Sequence, residues 1–199
     1  MKFLPLILLT LISLNSYAKK SFEGVITYSI SAISLNEGVA DSEVQKIYGY
    51  EMNTYYKEGF TKIEKSNGNV WEVYDSKKNK QYVRFRNSNK VEVFDGADET
   101  RPLPCIKDEP SDLIVLGHKT RLLTIQYEDG NVSKYWYSSD IYVEPEQFKK
   151  LKFAFLNKYW EKAQSPYLKH ERISDVSKVI YFATNVQEQA VSNEKFRVF

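Results

Sequence analysis

The 199-residue sequence is short of the residues that usually mark a chemistry or a special architecture. It has a single cysteine, Cys105, with two histidines, six prolines and eight glycines, and its formal net charge is only +2. One cysteine cannot form an intramolecular disulfide, so the hydrophobic core must hold the fold. The scarcity of glycine and proline excludes collagen-like repeats and low-complexity linkers. The nearly balanced charge argues against nucleic acid as a partner.

Recognisable catalytic and metal-binding motifs are missing as well. His118 and His170 lie in none of the spacings that zinc sites use, so we expect both to be ordinary surface or edge histidines. No serine lies in a G-x-S-x-G elbow, and there is no glycine-rich phosphate loop. Asp95, Asp98 and Glu99 resemble the start of a calcium loop, but the rest of that pattern is absent. We therefore predict a protein with no catalytic residues, no metal site and no cofactor.

Residues 1–18 have the three parts of a secretory signal peptide. Lys2 supplies the positive charge, Leu4–Leu14 is a mostly apolar run, and Ser16 and Ala18 are the small residues of a cleavage site. The rival interpretation, a membrane anchor, needs about 20 apolar residues, which is more than this run has. We therefore expect an exported protein, periplasmic or secreted, with a single domain over residues 19–199 and no later transmembrane segment.

Aromatic residues are abundant, at 15% of the chain, and 15 of them are tyrosines. The first long run after the signal peptide alternates strictly, because every second residue from Phe22 to Ala32 is apolar or glycine. That period of two is typical of a strand with one buried face. Further short β-type runs follow at close spacing, which favours antiparallel pairing. The sequence predicts a mainly β (α+β) fold: a curved antiparallel sheet or half-open barrel with one or two helices packed across it.

Four segments carry more specific predictions. Val44–Tyr50 has the composition of a strand, and Leu113–Glu128 that of one long strand. Asp95–Asp112 is acidic and contains three prolines without an apolar period, so we expect a surface loop there. Pro145–Lys162 has apolar residues at spacings of three and four, which predicts an amphipathic helix interrupted near Phe153.

The excess of aromatic residues admits two interpretations. Tyrosine joins an apolar ring to a polar tip, which suits the wall of a cleft or a contact surface. The plain alternative is that the rings belong to the core and to strand faces, where aromatic residues are favoured in any case. If the concave face of the sheet forms a pocket, the candidate ligand-binding residues are Tyr28, Ile30, Tyr48, Trp71, Val73, Phe85, Trp136, Phe148 and Phe155.

Several short stretches resemble one family of exported proteins. The opening strand Phe-Glu-Gly-Val-Ile-Thr-Tyr is similar to the first strand of a Gram-negative domain of unknown function, which is written F-E-G-x-I-x-Y. Other similar segments are Leu116–Thr120, Tyr127–Val143, Pro145–Phe148 and Ser165–Lys169. Thr120 stands where that group often has a cysteine, so a disulfide that the resemblance would imply is absent here.

This resemblance implies the outline of the lipoprotein-carrier (LolA-like) fold, in which a half-open antiparallel barrel is closed by helices around an apolar cavity. It also implies a carrier or binding role without chemistry. We therefore expect a non-enzymatic binding protein whose partner is a lipid, an acyl chain of a lipoprotein or another hydrophobic molecule. The alternative is a structural or interaction module of the cell envelope, which contacts a protein partner through its tyrosine-rich strands.

Overall fold

The computed structural model describes residues 19–68, 70–85, 88, 90–98 and 103–198. The predicted signal peptide, residues 1–18, lies outside the described residues. Within the described ranges, no helix is long and apolar enough to cross a membrane.

The described residues form one antiparallel sheet of eleven strands. In sheet order the strands are β6, β5, β4, β3, β2, β1, β11, β10, β9, β8 and β7, so β6 and β7 lie at the two edges. The predicted fold class is thereby confirmed. The bounds are β1 Gly24–Ser34, β2 Glu51–Lys57, β3 Phe60–Lys65, β4 Val70–Asp75, β5 Lys80–Phe85, β6 Val91–Asp95, β7 Cys105–Val115, β8 His118–Gln126, β9 Val132–Tyr137, β10 Tyr167–Ile173 and β11 Ser177–Glu188.

The sheet has to be curved because its two edge strands are consecutive in the sequence. β6 ends at Asp95 and β7 begins at Cys105, ten peptide steps later. Ten steps span at most about 36 Å, whereas ten strand spacings in a flat sheet extend about 48 Å. The connection can therefore be made only if the sheet bends and brings its edges towards each other.

The alternation predicted for the first strand is present in β1. Ile26, Tyr28, Ile30 and Ala32 are all buried, and their side chains lie on one face of the sheet. We call this face the inner face and the opposite one the outer face. β1 pairs with β2 on one side and with β11 on the other, so the first strand of the described residues lies in the middle of the sheet.

Helical segments between β9 and β10 cover the inner face. They are short 3₁₀ helices at Pro145–Phe148 and Phe153–Phe155 and the α-helix α2 at Leu156–Ala163. Ala154 and Phe155 have positive φ angles, 49° and 56°, which break the helical path. The predicted interruption near Phe153 is therefore confirmed.

The strand predicted over Val44–Tyr50 is wrong, because Asp41–Tyr48 forms the helix α1. β1 pairs with β2 only as far as Ser29, which leaves the rest of that edge without a strand. α1 covers it instead: the Gln45 amide accepts a hydrogen bond from the Ala32 N–H at 2.8 Å and donates one to the Ile30 carbonyl at 3.1 Å. The need to satisfy the β1 backbone overrides the strand propensity of valine and tyrosine.

The loop predicted over Asp95–Asp112 is wrong from Cys105 onwards, where β7 begins, and its residues 99–102 lie outside the described residues. The single strand predicted over Leu113–Glu128 is also wrong. Most of this region is a hairpin of β7 and β8, and it turns at Leu116 and Gly117, whose φ angles are 51° and 84°. Positive φ at both turn residues matches the twist of a two-residue hairpin. Pro110 is tolerated in β7 because an edge strand leaves half of its N–H groups without a strand partner.

The C-terminal segment packs on the outer face. The 3₁₀ helix Asn193–Phe196 in this segment follows the end of β11. Val73 from β4 forms a small buried cluster with Val191 and Phe196, against which Tyr55, Phe60, Trp71, Tyr82 and Val198 pack. The sheet therefore has apolar cover on both faces.

The inner-face core predicts a large stability loss on removing Phe148. This side chain is 1% exposed, and its ring centroid lies 4.3 Å from that of Trp160 and 5.8 Å from that of Tyr74. Phe148→Ala should lower the free energy of unfolding by roughly 3–5 kcal/mol, since it leaves a cavity in packed surroundings. Phe153→Ala, in the same segment but with a 37% exposed side chain, should cost less than about 1 kcal/mol. Equal losses in urea denaturation would contradict this packing.

Candidate functional site

A pocket of about 340 Å³ opens on the inner face, beside the helical segments. Its walls include six tyrosine or phenylalanine rings and seven polar or charged side chains. The rings are Tyr48, Tyr127, Tyr135, Phe153, Tyr167 and Tyr181, and the polar side chains are Lys65, Glu72, Gln81, Asn131, Ser133, His170 and Arg172. Its volume lies at the lower end of the range of small-molecule sites, about 300–1,000 Å³.

Curvature of the sheet brings the two walls of this pocket together. Lys65 lies on β3 and Arg172 on β10, and three strands separate β3 from β10 in the sheet. In a flat sheet β3 and β10 would be about 19 Å apart. Both residues nevertheless line the same pocket, so the inner face is the concave one.

An aromatic stack forms one wall of the pocket. Tyr135, His170 and Tyr181 are direct cross-strand neighbours on β9, β10 and β11. The His170 ring lies parallel to Tyr135, with centroids 4.2 Å apart, and 5.6 Å from the Tyr181 centroid. Because the three residues lie directly opposite one another on adjacent strands, their rings form one row on the same face of the sheet.

His170 is held neutral in this stack. Burial, with a further contribution from the charge of Arg172, lowers the pKa of His170 to about 3. Its Nε2 atom is buried and has no hydrogen-bond partner among the described residues. A buried polar atom without a hydrogen-bond partner costs free energy of folding.

The opposite wall carries a carboxyl group and an ammonium group that are largely removed from water. Glu72 accepts a hydrogen bond from the Gln81 amide at 2.9 Å. Burial raises the pKa of Glu72 and lowers that of Lys65. The Lys65 ammonium lies 5.6 Å from the centroid of the Tyr48 ring, within cation–π range.

The residues predicted from the sequence to bind a ligand do not gather in this pocket. Of the nine, Tyr48 lines it. Four belong to the inner-face core: Tyr28, Ile30, Phe148 and Phe155, each no more than 5% exposed. Phe85, at the end of β5, is 41% exposed and does not line the pocket. The part these residues play in ligand binding stays a prediction.

The other three predicted residues lie on the outer face. Val73 and Trp71 pack with the C-terminal segment. Trp136 alternates with the buried Tyr135 and Tyr137, and the Lys169 ammonium covers its ring at 4.2 Å. In β4 both odd-numbered and even-numbered positions carry apolar residues. Alternation alone therefore could not show which face of the strand packs against the inner-face core.

Sequence reasoning missed the charged and polar members of the pocket. Lys65, Glu72 and Arg172 stand at inner-face positions of otherwise alternating strands, and that interruption was the available signal. The expectation of a surface or edge histidine is wrong for His170. His118, by contrast, is partly exposed and pairs with Asp140 at 3.0 Å. No group of three or more potential metal ligands occurs among the described residues.

No protein-family model and no curated protein matches this sequence. Among solved structures, the chain is similar to PNGF-II, with 14% identity and a TM-score of 0.47. That match covers 88% of this chain but only 30% of the PNGF-II chain. A second similar structure is a putative outer membrane lipoprotein-sorting protein domain from Vibrio parahaemolyticus. It has 8% identity and a TM-score of 0.39, and the match covers 87% of this chain and 89% of that one. With both TM-scores below 0.5, neither likeness supports an inference about function.

The neutral state of His170 predicts a pH dependence of stability. In the unfolded chain its pKa is about 6.5, whereas in the folded protein it is about 3. Between these values the unfolded state binds more protons, so stability falls as the pH falls, by at most about 1.4 kcal/mol per pH unit. His170→Phe keeps the ring and removes this proton uptake. Between pH 6 and pH 4, urea denaturation should show a shallower loss for His170→Phe than for the wild type, and parallel curves would contradict the neutral assignment.

Proposed function

We propose that the protein is a non-enzymatic binding protein that holds a small, largely hydrophobic molecule in the inner-face pocket. One observation carries the proposal: an open pocket with ring-lined walls remains on a concave face that is otherwise filled by core. The size of the pocket suits an acyl chain segment or one ring system. The proposed location is the periplasm or the exterior, because residues 1–18 have the pattern of a signal peptide.

The envelope-module alternative receives less support from the exposed surface. Tyr50, 65% exposed, is the only tyrosine of the described residues that is exposed rather than buried or half-buried. The tyrosine-rich strands therefore turn most of their rings inwards or under the C-terminal segment. A contact surface built on those strands would need the rings outside.

Binding can be measured with N-phenylnaphthylamine, an uncharged probe whose fluorescence rises in apolar surroundings. The wild-type protein should give a saturable rise with one site. Phe153→Ala should weaken binding roughly tenfold, because it removes a ring from the pocket wall. Tyr48→Ala should act in the same direction. Tyr50→Ala is the matched control, since this exposed ring lies two residues beyond Tyr48 and does not line the pocket.

Two results would contradict the proposal. One is the absence of saturable binding by the wild-type protein, together with no co-purified small molecule in native mass spectrometry. The other is an equal effect of Tyr50→Ala and Phe153→Ala, which would place the probe elsewhere on the surface.

A further inference from the structure

Two positively charged side chains of the inner-face pocket have no carboxylate partner within the part of the chain that the structure describes. Lys65 and Arg172 both line it. No carboxylate oxygen of the described residues lies within 4.0 Å of the Lys65 ammonium or the Arg172 guanidinium. Many other lysines of the protein do have such a partner; Lys169, for example, lies 2.7 Å from Glu171. Exposed lysines such as Lys119 also lack a carboxylate partner among the described residues, and Arg172 is itself exposed. Lys65 differs because it is half-buried, where an unpaired charge costs more free energy.

Both cations line the same pocket, and the charge of Arg172 acts on Lys65. Burial lowers the pKa of Lys65, the charge of Glu72 raises it, and the charge of Arg172 lowers it further. An anion placed between the two cations would offset the free-energy cost of burying the Lys65 charge. It would also reduce the repulsion between the two cations.

Glu72 neutralises the pair only in part. It is one carboxyl group against two cations, and burial raises its pKa, although Lys65, the Gln81 amide and Arg172 oppose that rise. Its oxygen is engaged by the Gln81 amide rather than by either cation. With His170 neutral, the two cations and one carboxylate of the pocket leave one positive charge unbalanced, and a bound anion would neutralise it.

The remaining lining is suited to an apolar group. Tyr48, Phe153 and Tyr167 present rings to the pocket, and Leu156 adds an aliphatic side chain. Rings and a pair of cations in one small site match a molecule with one anionic end and an apolar body.

We propose that the pocket selects an amphipathic carboxylate, whose anionic group lies between Lys65 and Arg172 and whose apolar part lies against the rings. The proposal rests on the proposed function, because it specifies the class of ligand for the same pocket. Charge-assisted hydrogen bonds to the carboxylate would supply the selectivity, and burial of the apolar part would supply affinity that is independent of charge.

The test compares decanoate with decanol, which has a similar apolar chain but no charge, as competitors of N-phenylnaphthylamine. The wild-type protein should bind decanoate about tenfold more tightly than decanol. Lys65→Met and Arg172→Met should each weaken decanoate binding about tenfold and change decanol binding by less than about twofold. Lys119→Met, which removes an exposed lysine outside the pocket, is the matched control and should change neither.

Glu72→Gln gives a result of opposite sign. It removes the competing negative charge and keeps a similar shape, so decanoate should bind several-fold more tightly while decanol is unaffected. A purely structural role of Glu72 would instead weaken both competitors together. Urea denaturation of each variant shows whether the fold is kept, and a variant that fails to fold is replaced by Lys65→Gln or Arg172→Gln.

The outcomes separate the two proposals. If decanol displaces the probe as well as decanoate does, or if the cation variants weaken both competitors equally, the carboxylate proposal is wrong and the hydrophobic pocket stands. If the probe and both competitors fail to bind, also by direct calorimetry, the binding function itself is wrong.

Discussion

The pairing of β1 with β11 is the constraint on which the rest of the structure depends. It runs from Gly24 opposite Glu188 to Ser34 opposite Ser177 and joins two meanders, β2–β6 on one side and β7–β10 on the other. Without it, neither meander could form a concave face large enough to enclose the helical segments. This contact between the first and the last strand has a high loop-closure cost. With one cysteine in the chain, no internal disulfide lowers that cost, so the buried inner face must offset it.

The helical insertion between β9 and β10 determines how much of the concave face is left for a ligand. Phe148, Tyr159 and Trp160 fill most of it with packed rings, and the Tyr159 hydroxyl donates to the Ser165 carbonyl at 2.5 Å. The aromatic excess is therefore largely a property of the core. What remains open is the small pocket with charged side chains on facing walls.

The candidate site was harder to anticipate than the fold. Lys65, Glu72 and Arg172 are ordinary charged residues in the sequence, and charges on strands usually face water. They become a group only because β3, β4 and β10 curve around one space. Aromatic side chains such as Trp71 were better marked by their residue type, but type does not reveal the face: the C-terminal segment covers Trp71 on the outer side. The residue types indicated that aromatic rings are important, and the structure shows that most of these rings pack in the hydrophobic clusters.

The sequence by itself determined the local features: the alternation of β1, the antiparallel meanders implied by close strand spacing, and the interrupted helix after Pro145. These follow from backbone periodicity and from turn and capping preferences, which act over a few residues. Only the tertiary structure decided that α1 replaces a strand beside β1, that Pro110 lies in an edge strand, and that the half-buried His170 ring stacks between two tyrosines. The physical reason is that burial and hydrogen-bond satisfaction depend on partners far away in the chain, and period alone cannot tell which face of a strand those partners cover.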